Sequence, residues 1–105
     1  MNNNDIINEL KKLLENNLSL NIRKIFLFGS QITGNAIDGS DYDVLILLEN
    51  DYDWKLEERI YDVSYEVMLE YDIVLDIKII SVKELDTLRA KQPFIQNALK
   101  SGVNV

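Results

Sequence analysis

Apolar residues near the start of the chain recur at the spacing of one helical face: Ile6, Ile7, Leu10, Leu13, Leu14 and Leu18. This predicts an amphipathic helix over roughly residues 5–18, with Asn4 or Asp5 placed to cap its first turn. The β-rich run Ile22-Arg23-Lys24-Ile25-Phe26-Leu27-Phe28 follows and predicts a buried strand, ended by Gly29-Ser30. From Gln31 to Ser40 the residues are small and polar with Gly34 and Gly39, as in a short helical turn and a loop. Asp41 to Leu48 is polar at its start and then continuously apolar, the pattern of a strand covered on both faces. Asp51 or Asp53 can cap a helix beginning near Trp54. Leu56, Ile60, Val63 and Val67 form one stripe of that helix, and Tyr61, Tyr65 and Met68 a second stripe beside it. A third strand is expected over Ile73–Ile80, interrupted by Asp76 and Lys78. Two short helices close the chain, one after Ser81 and one from Pro93. The last has Phe94, Ile95, Ala98 and Leu99 on one face and Gly102 as its stop.

Helices alternating with apolar strands, without repeats or a Pro-rich linker, predict an α+β fold in which a small sheet is flanked by helices. The 105 residues fit one domain, and 47% apolar residues suffice for its core. Eleven Lys+Arg against 18 Asp+Glu give a formal net charge of −7. That balance argues against broad binding to DNA or RNA, which needs a basic face. No segment reaches the roughly 18 apolar residues of a membrane span. Met1-Asn2-Asn3-Asn4-Asp5 lacks the basic-then-apolar pattern of a signal peptide, so a cytoplasmic location is expected. The chain has no Cys and no His, which excludes disulfides, thiolate chemistry, Ser-His-Asp chemistry and the common zinc sites. A metal would be held by oxygen, making Mg²⁺ or Mn²⁺ the candidates.

Two features carry chemistry. Gly29-Ser30 ends a strand and opens a small-residue turn, where backbone N–H groups and the Ser30 hydroxyl can receive a phosphate. Asp41-x-Asp43 heads the next strand, and side chains at i and i+2 share one face about 6.5–7 Å apart at Cα. Two carboxylates so placed can hold a divalent ion. Each feature alone is more readily a plain turn or a solvated strand head.

Together they resemble the signature of the DNA polymerase β-type nucleotidyltransferase superfamily: Gly29-Ser30, ten residues, then Asp41-x-Asp43. Chance gives that match in about one chain in a thousand of this length. Phe28 before Gly29, Gly34, and Ser40-Asp41-Tyr42-Asp43-Val44 also look like the family. The resemblance spans most of the chain and is closest to the minimal nucleotidyltransferases. It implies a small mixed sheet like the polymerase β palm and a third carboxylate on a neighbouring strand. Asp76 is the expected residue, with Asp72 as the fallback; a pairing of Asp76 with Lys78, or a place at an exposed edge, is the structural alternative.

The implied roles are metal binding and catalysis for Asp41, Asp43 and Asp76, and nucleotide binding for Gly29, Ser30 and Ser40. Two Mg²⁺ ions, with Mn²⁺ able to substitute, would support transfer of a nucleoside monophosphate, expected to be AMP from ATP. Minimal members of this kind imply a HEPN-type toxin as partner, modified on a tyrosine, with the transferase acting as antitoxin. Homo-oligomers are also compatible. Gln31 and Thr33 stand where many members have arginines, and Lys78, Arg23 or Lys24 are the candidates to compensate. That departure leaves an alternative, a weak or inactive member that neutralises its partner by binding only. A transferase for a small molecule such as an aminoglycoside would need more substrate-binding structure than this length supplies. Trp54, Tyr61, Tyr65 and Tyr71 on or beside the central helix fit either a broad core face or a protein interface.

Overall fold

The structure is a computed structural model and describes residues 3–28, 42–87, 91–101 and 103–104. Helix α1 spans Asn3–Leu18. It begins ahead of the expected caps, so Asn4 and Asp5 lie within it, and Asp5 sits in the first turn where the helix dipole favours an anion. Strands β1 (Ile22–Phe28) and β2 (Tyr42–Leu48) precede helix α2 (Trp54–Tyr71). Asp53 is the cap of α2, its carboxylate accepting a 2.9 Å hydrogen bond from the Leu56 N–H. The helix ends at Asp72, which takes the left-handed conformation (φ 54°) while its N–H donates to the Met68 carbonyl. Asp72 therefore closes a helix rather than heading a strand.

Strand β3 follows as Leu75–Ser81, starting two residues later than the apolar run suggests. The expected helix after Ser81 is a 3₁₀ turn, Val82–Asp86, closed by a capping box between Ser81 and Glu84. Helix α3 (Pro93–Ser101) starts at Pro93 as expected, and strand β4 (Val103–Asn104) is an addition to the sequence reading. The turn expected between Gln31 and Ser40, and Gly102, lie outside the described residues.

The sheet order is β3-β2-β1-β4. β1 is antiparallel to β2 and to β4, whereas β2 and β3 run parallel, which makes the sheet mixed as expected. Alternation along each strand sends its residues to two different layers. Val44, Ile46, Leu48, Ile77 and Ile79 join Ile7, Leu10, Leu14, Ile60 and Val67 in the larger core, under α1 and α2. Leu45, Leu47, Phe26 and Ile80 join Ile95 of α3 in a smaller core on the opposite face. This explains the continuous apolar run of β2, whose buried residues serve both layers.

Among the described residues, Ser64 and Ser81 are the buried polar ones. Ser64 is fully buried in α2 and its hydroxyl donates to the Ile60 carbonyl at 2.7 Å. Tyr71, half-buried at the C-terminal end of α2, packs against the larger core. Burial, and then the carboxylates of Glu70, Glu9 and Asp5, push its hydroxyl pKa above the ordinary 10.0. Among the described residues, no helix is long and apolar enough to cross a membrane.

Candidate active site

Asp43 is the second residue of β2 and Asp76 the second residue of β3. The parallel pairing places them opposite each other, Asp43 against Asp76, between Tyr42 against Leu75 and Val44 against Ile77. Strand spacing sets their Cα atoms about 5 Å apart. A 2.8 Å bond from the Tyr42 N–H to the Val74 carbonyl extends the pairing beyond β3 and fixes the heads of both strands. Tyr52 adds a hydrogen bond from its hydroxyl to the Ile79 carbonyl at 3.0 Å.

Both carboxylates point away from the larger core. Val44 and Ile77, their neighbours, are buried in it, so Asp43 and Asp76 lie on the face that carries α3. β1 completes the arrangement from the other side, because Phe28, its last residue, is the partner of Asp43. β1 thus ends at the level of the carboxylate pair. Gly29, Ser30, Ser40 and Asp41 themselves lie outside the described residues. The ends of three strands meet at one corner of one face.

Asp76 is only half-buried, and Lys78 Nζ lies 3.5 Å from its Oδ1, with side-chain exposures of 39% for Lys78 and 46% for Asp76. An edge strand lets both side chains reach water, which is why a charged residue is tolerated in this apolar run. The pairing with Lys78 is thus present alongside the facing position to Asp43. Lys78 is also the best placed of the three cations considered as substitutes for the absent arginines. Arg23 and Lys24 stand at the other end of β1, where Lys24 pairs with Leu47 and Arg23 Nη1 binds Glu49 Oε1 at 2.9 Å. Leu47 lies four residue steps along β2 from Asp43, about 13 Å.

The fit to a hard divalent cation rests on this donor set. Asp43 and Asp76 offer carboxylate oxygens only, from neighbouring strands, on a face that solvent reaches. Among the described residues no group of three metal-ligating side chains forms. What sequence reasoning missed is the level pairing of Asp43 with Asp76 and the extra strand β4. Register between strands distant in sequence leaves no mark in a local pattern. The Asp76–Lys78 contact, by contrast, was legible from their i, i+2 spacing.

Residues 8–105 match the family model described as "Polymerase beta, Nucleotidyltransferase". The chain belongs to the polymerase beta nucleotidyltransferase family. It is a nucleotidyltransferase. Two relatives from Methanocaldococcus jannaschii, each provisionally named a protein adenylyltransferase, are nearly the same length. One is 30% identical over 102 residues, covering 97% of this chain and 96% of the relative. The other is 33% identical over 101 residues, covering 96% of each.

The fold recurs in a crystal structure of a toxin–antitoxin with AMP-PNP, with a TM-score of 0.62 and 22% identity. That likeness covers 92% of this chain and 69% of the other. A mutant of the toxin–antitoxin MntA–HpeT gives a TM-score of 0.61 at 23% identity, covering 100% of this chain and 72% of that one. This nucleotidyltransferase therefore has the architecture expected of its family, with the facing aspartates at the corner where β1, β2 and β3 meet.

Proposed function

We propose that this nucleotidyltransferase transfers AMP from ATP to a tyrosine hydroxyl of a partner protein, a HEPN-type toxin, and so acts as an antitoxin. The observation that carries the reading is the level pairing of Asp43 with Asp76 at the corner where β1 ends at Phe28. The names of the two archaeal relatives, protein adenylyltransferases, support the choice of a protein acceptor and an adenylyl group. The toxin–antitoxin structures, one of them with AMP-PNP, support the setting.

In this reading Asp41, Asp43 and Asp76 hold Mg²⁺, with Mn²⁺ able to replace it. When bound, the metal supplies positive charge to the triphosphate and acidifies the attacking hydroxyl. Gly29 and Ser30 receive the terminal phosphates through backbone N–H groups and a hydroxyl, and Ser40 adds a donor at the strand head. Lys78 supplies a cation beside Asp76, within reach of an incoming anion. The acceptor hydroxyl bonds through its oxygen to the α-phosphorus and gives up its proton to solvent, the bond to the β-phosphate breaks, and pyrophosphate departs. No covalent enzyme intermediate is needed, in keeping with a chain that has neither His nor Cys.

The Asp76–Lys78 pair also favours a second reading, a binding-only antitoxin, since a built-in cation offsets the carboxylate without metal. An assay with ATP labelled on its α-phosphate separates the two. The purified chain and a candidate HEPN-type partner protein are incubated with and without Mg²⁺, alongside Asp43→Asn. Metal-dependent label on a partner tyrosine, lost in the variant, is the expected result. A stable complex that never acquires label would replace transfer with binding.

A further inference from the structure

The central helix carries a second apolar face that the fold does not use. Ile60, Val63 and Val67 of α2 are buried in the larger core. Trp54, Tyr61, Tyr65 and Leu69 lie on the other side and are exposed, at 65%, 40%, 59% and 66%. At about 100° per residue these four fall within an arc of about 80°, roughly opposite the buried stripe. Single exposed apolar residues are ordinary; a row of four along one helix, three of them aromatic, is not.

The surroundings of that row select what can cover it. Over its length α2 carries Glu57, Glu58, Asp62, Glu66 and Glu70 against Lys55 and Arg59. Glu58 lies within the row by helical angle, with Glu57 on one flank and Asp62 on the other. At the start of the helix, Asp53, Glu58 and Asp62, interleaved with Lys55 and Arg59, line a shallow groove of about 550 Å³ beside Trp54 and Leu56, its charged rim one carboxylate in excess. Lys55 Nζ already stands 5.8 Å from the centre of the Trp54 ring, so that ring accepts a cation. Tyr61 donates to Glu57 Oε1 at 3.2 Å, which limits the rotamer freedom it would lose on docking. A second copy pressed face to face on this row would bring two acidic frames together. Nucleic acid would be repelled for the same reason.

We propose that Trp54, Tyr61, Tyr65 and Leu69, framed by the carboxylates of α2, form a docking surface for a protein that presents an apolar ridge edged with Lys and Arg. This deepens the partner half of the reading above and does not use the transfer chemistry. The surface stands on the α2 layer, whereas Asp43 and Asp76 face the α3 layer. Binding and chemistry are therefore separable by mutation.

Trp54 is the only tryptophan, so its emission reports on the surface directly. Three helix-stapled peptides serve as probes: one with an apolar face edged by Lys and Arg, one with the same face edged by Glu, and one basic with Ser at the apolar positions. The first is expected to shift Trp54 emission to the blue and to bind at least tenfold more tightly than the other two. The double substitution Tyr65→Ser with Leu69→Ser is expected to weaken it at least tenfold, with an unchanged unfolding midpoint. Asp43→Asn should bind like the wild type.

No binding, equal binding of the first and third peptides, equal binding of the first and second, or unweakened binding by the double variant each overturns the proposal. A wild-type dimer that the double variant converts to monomer, seen by sedimentation, also overturns it by making a second copy the occupant. A chain that transfers nucleotide yet binds none of the peptides loses this inference alone. One that binds the first peptide but transfers nothing loses only the catalytic reading.

Discussion

Asp43 and Asp76 stand level with each other on adjacent parallel strands, so two carboxylates share one small patch of one sheet face. Like charges directly opposite on a sheet oppose folding. Such a pair makes sense where a cation joins it.

Neutralising either carboxylate therefore has opposite effects on activity and stability. Asp43→Asn and Asp76→Asn are expected to lower nucleotide transfer on the order of a thousand-fold, the loss of several kcal/mol of charge stabilisation. In metal-free buffer Asp43→Asn should gain about 0.2–1 kcal/mol of stability as the facing repulsion is relieved. Transfer assays and denaturant titration in chelator check both halves. A marked destabilisation would give Asp43 a structural role instead.

Lys78 competes with any metal for Asp76. Its contact at 3.5 Å joins two side chains that are 39% and 46% exposed, so it stabilises the fold by no more than about 0.5 kcal/mol. Lys78→Gln should leave the unfolding midpoint nearly unchanged and raise Mg²⁺ affinity a few-fold without nucleotide, while ATP affinity falls. Calorimetric titrations with Mg²⁺ alone and then with ATP separate the effects.

The cap on α2 is the clearest local contribution to stability. Asp53→Ala removes the acceptor for the Leu56 N–H and should cost about 1 kcal/mol. Urea unfolding should show a lower midpoint with an unchanged slope, because the surface exposed on unfolding stays the same.

Tyr71 gives an alkaline signature. Its pKa is raised in the folded chain by burial and by Glu70, Glu9 and Asp5, so the unfolded chain loses this proton first. The stability linked to Tyr71 is present in full below pH 10.0 and is lost as pH rises through the higher folded value. Tyr71→Phe should match the wild type in pH response near neutrality and lose less stability above that point. Thermal melts across the alkaline range compare the two.

Much of this fold was readable because its residues obey simple periods. The spacing of Ile7, Leu10 and Leu14 and the run from Val44 to Leu48 each have one cheap solution, and the structure takes it. The capping of α2 by Asp53 was equally local. What escaped depends on partners distant in sequence. β4 is two residues long and exists because Val103 and Asn104 meet Leu27 and Phe26. The later start of β3 follows from Asp72 closing α2 in a left-handed turn, which no hydrophobic pattern announces. At the site, the residue types were legible and their alignment was not. The spacing from Gly29 to Asp43 carried the family, but only the strand register brings Asp76 level with Asp43. The aromatic residues of α2 were ambiguous for a related reason. Helical angle groups Trp54, Tyr61 and Tyr65, and burial alone decides that they face outward while Tyr71 packs in.

The sheet divides the labour of this small chain between its two sides. Residues on the outer face of α2 contribute little to the core, and they stand on the α2 layer whereas Asp43 and Asp76 face the α3 layer. Mutation can therefore rewrite that outer face, one exposed side chain at a time, while the carboxylate corner stays as it is. A lineage built this way can exchange its companions and keep its chemistry. In the laboratory, the same partition makes α2 the place to graft a new binding preference.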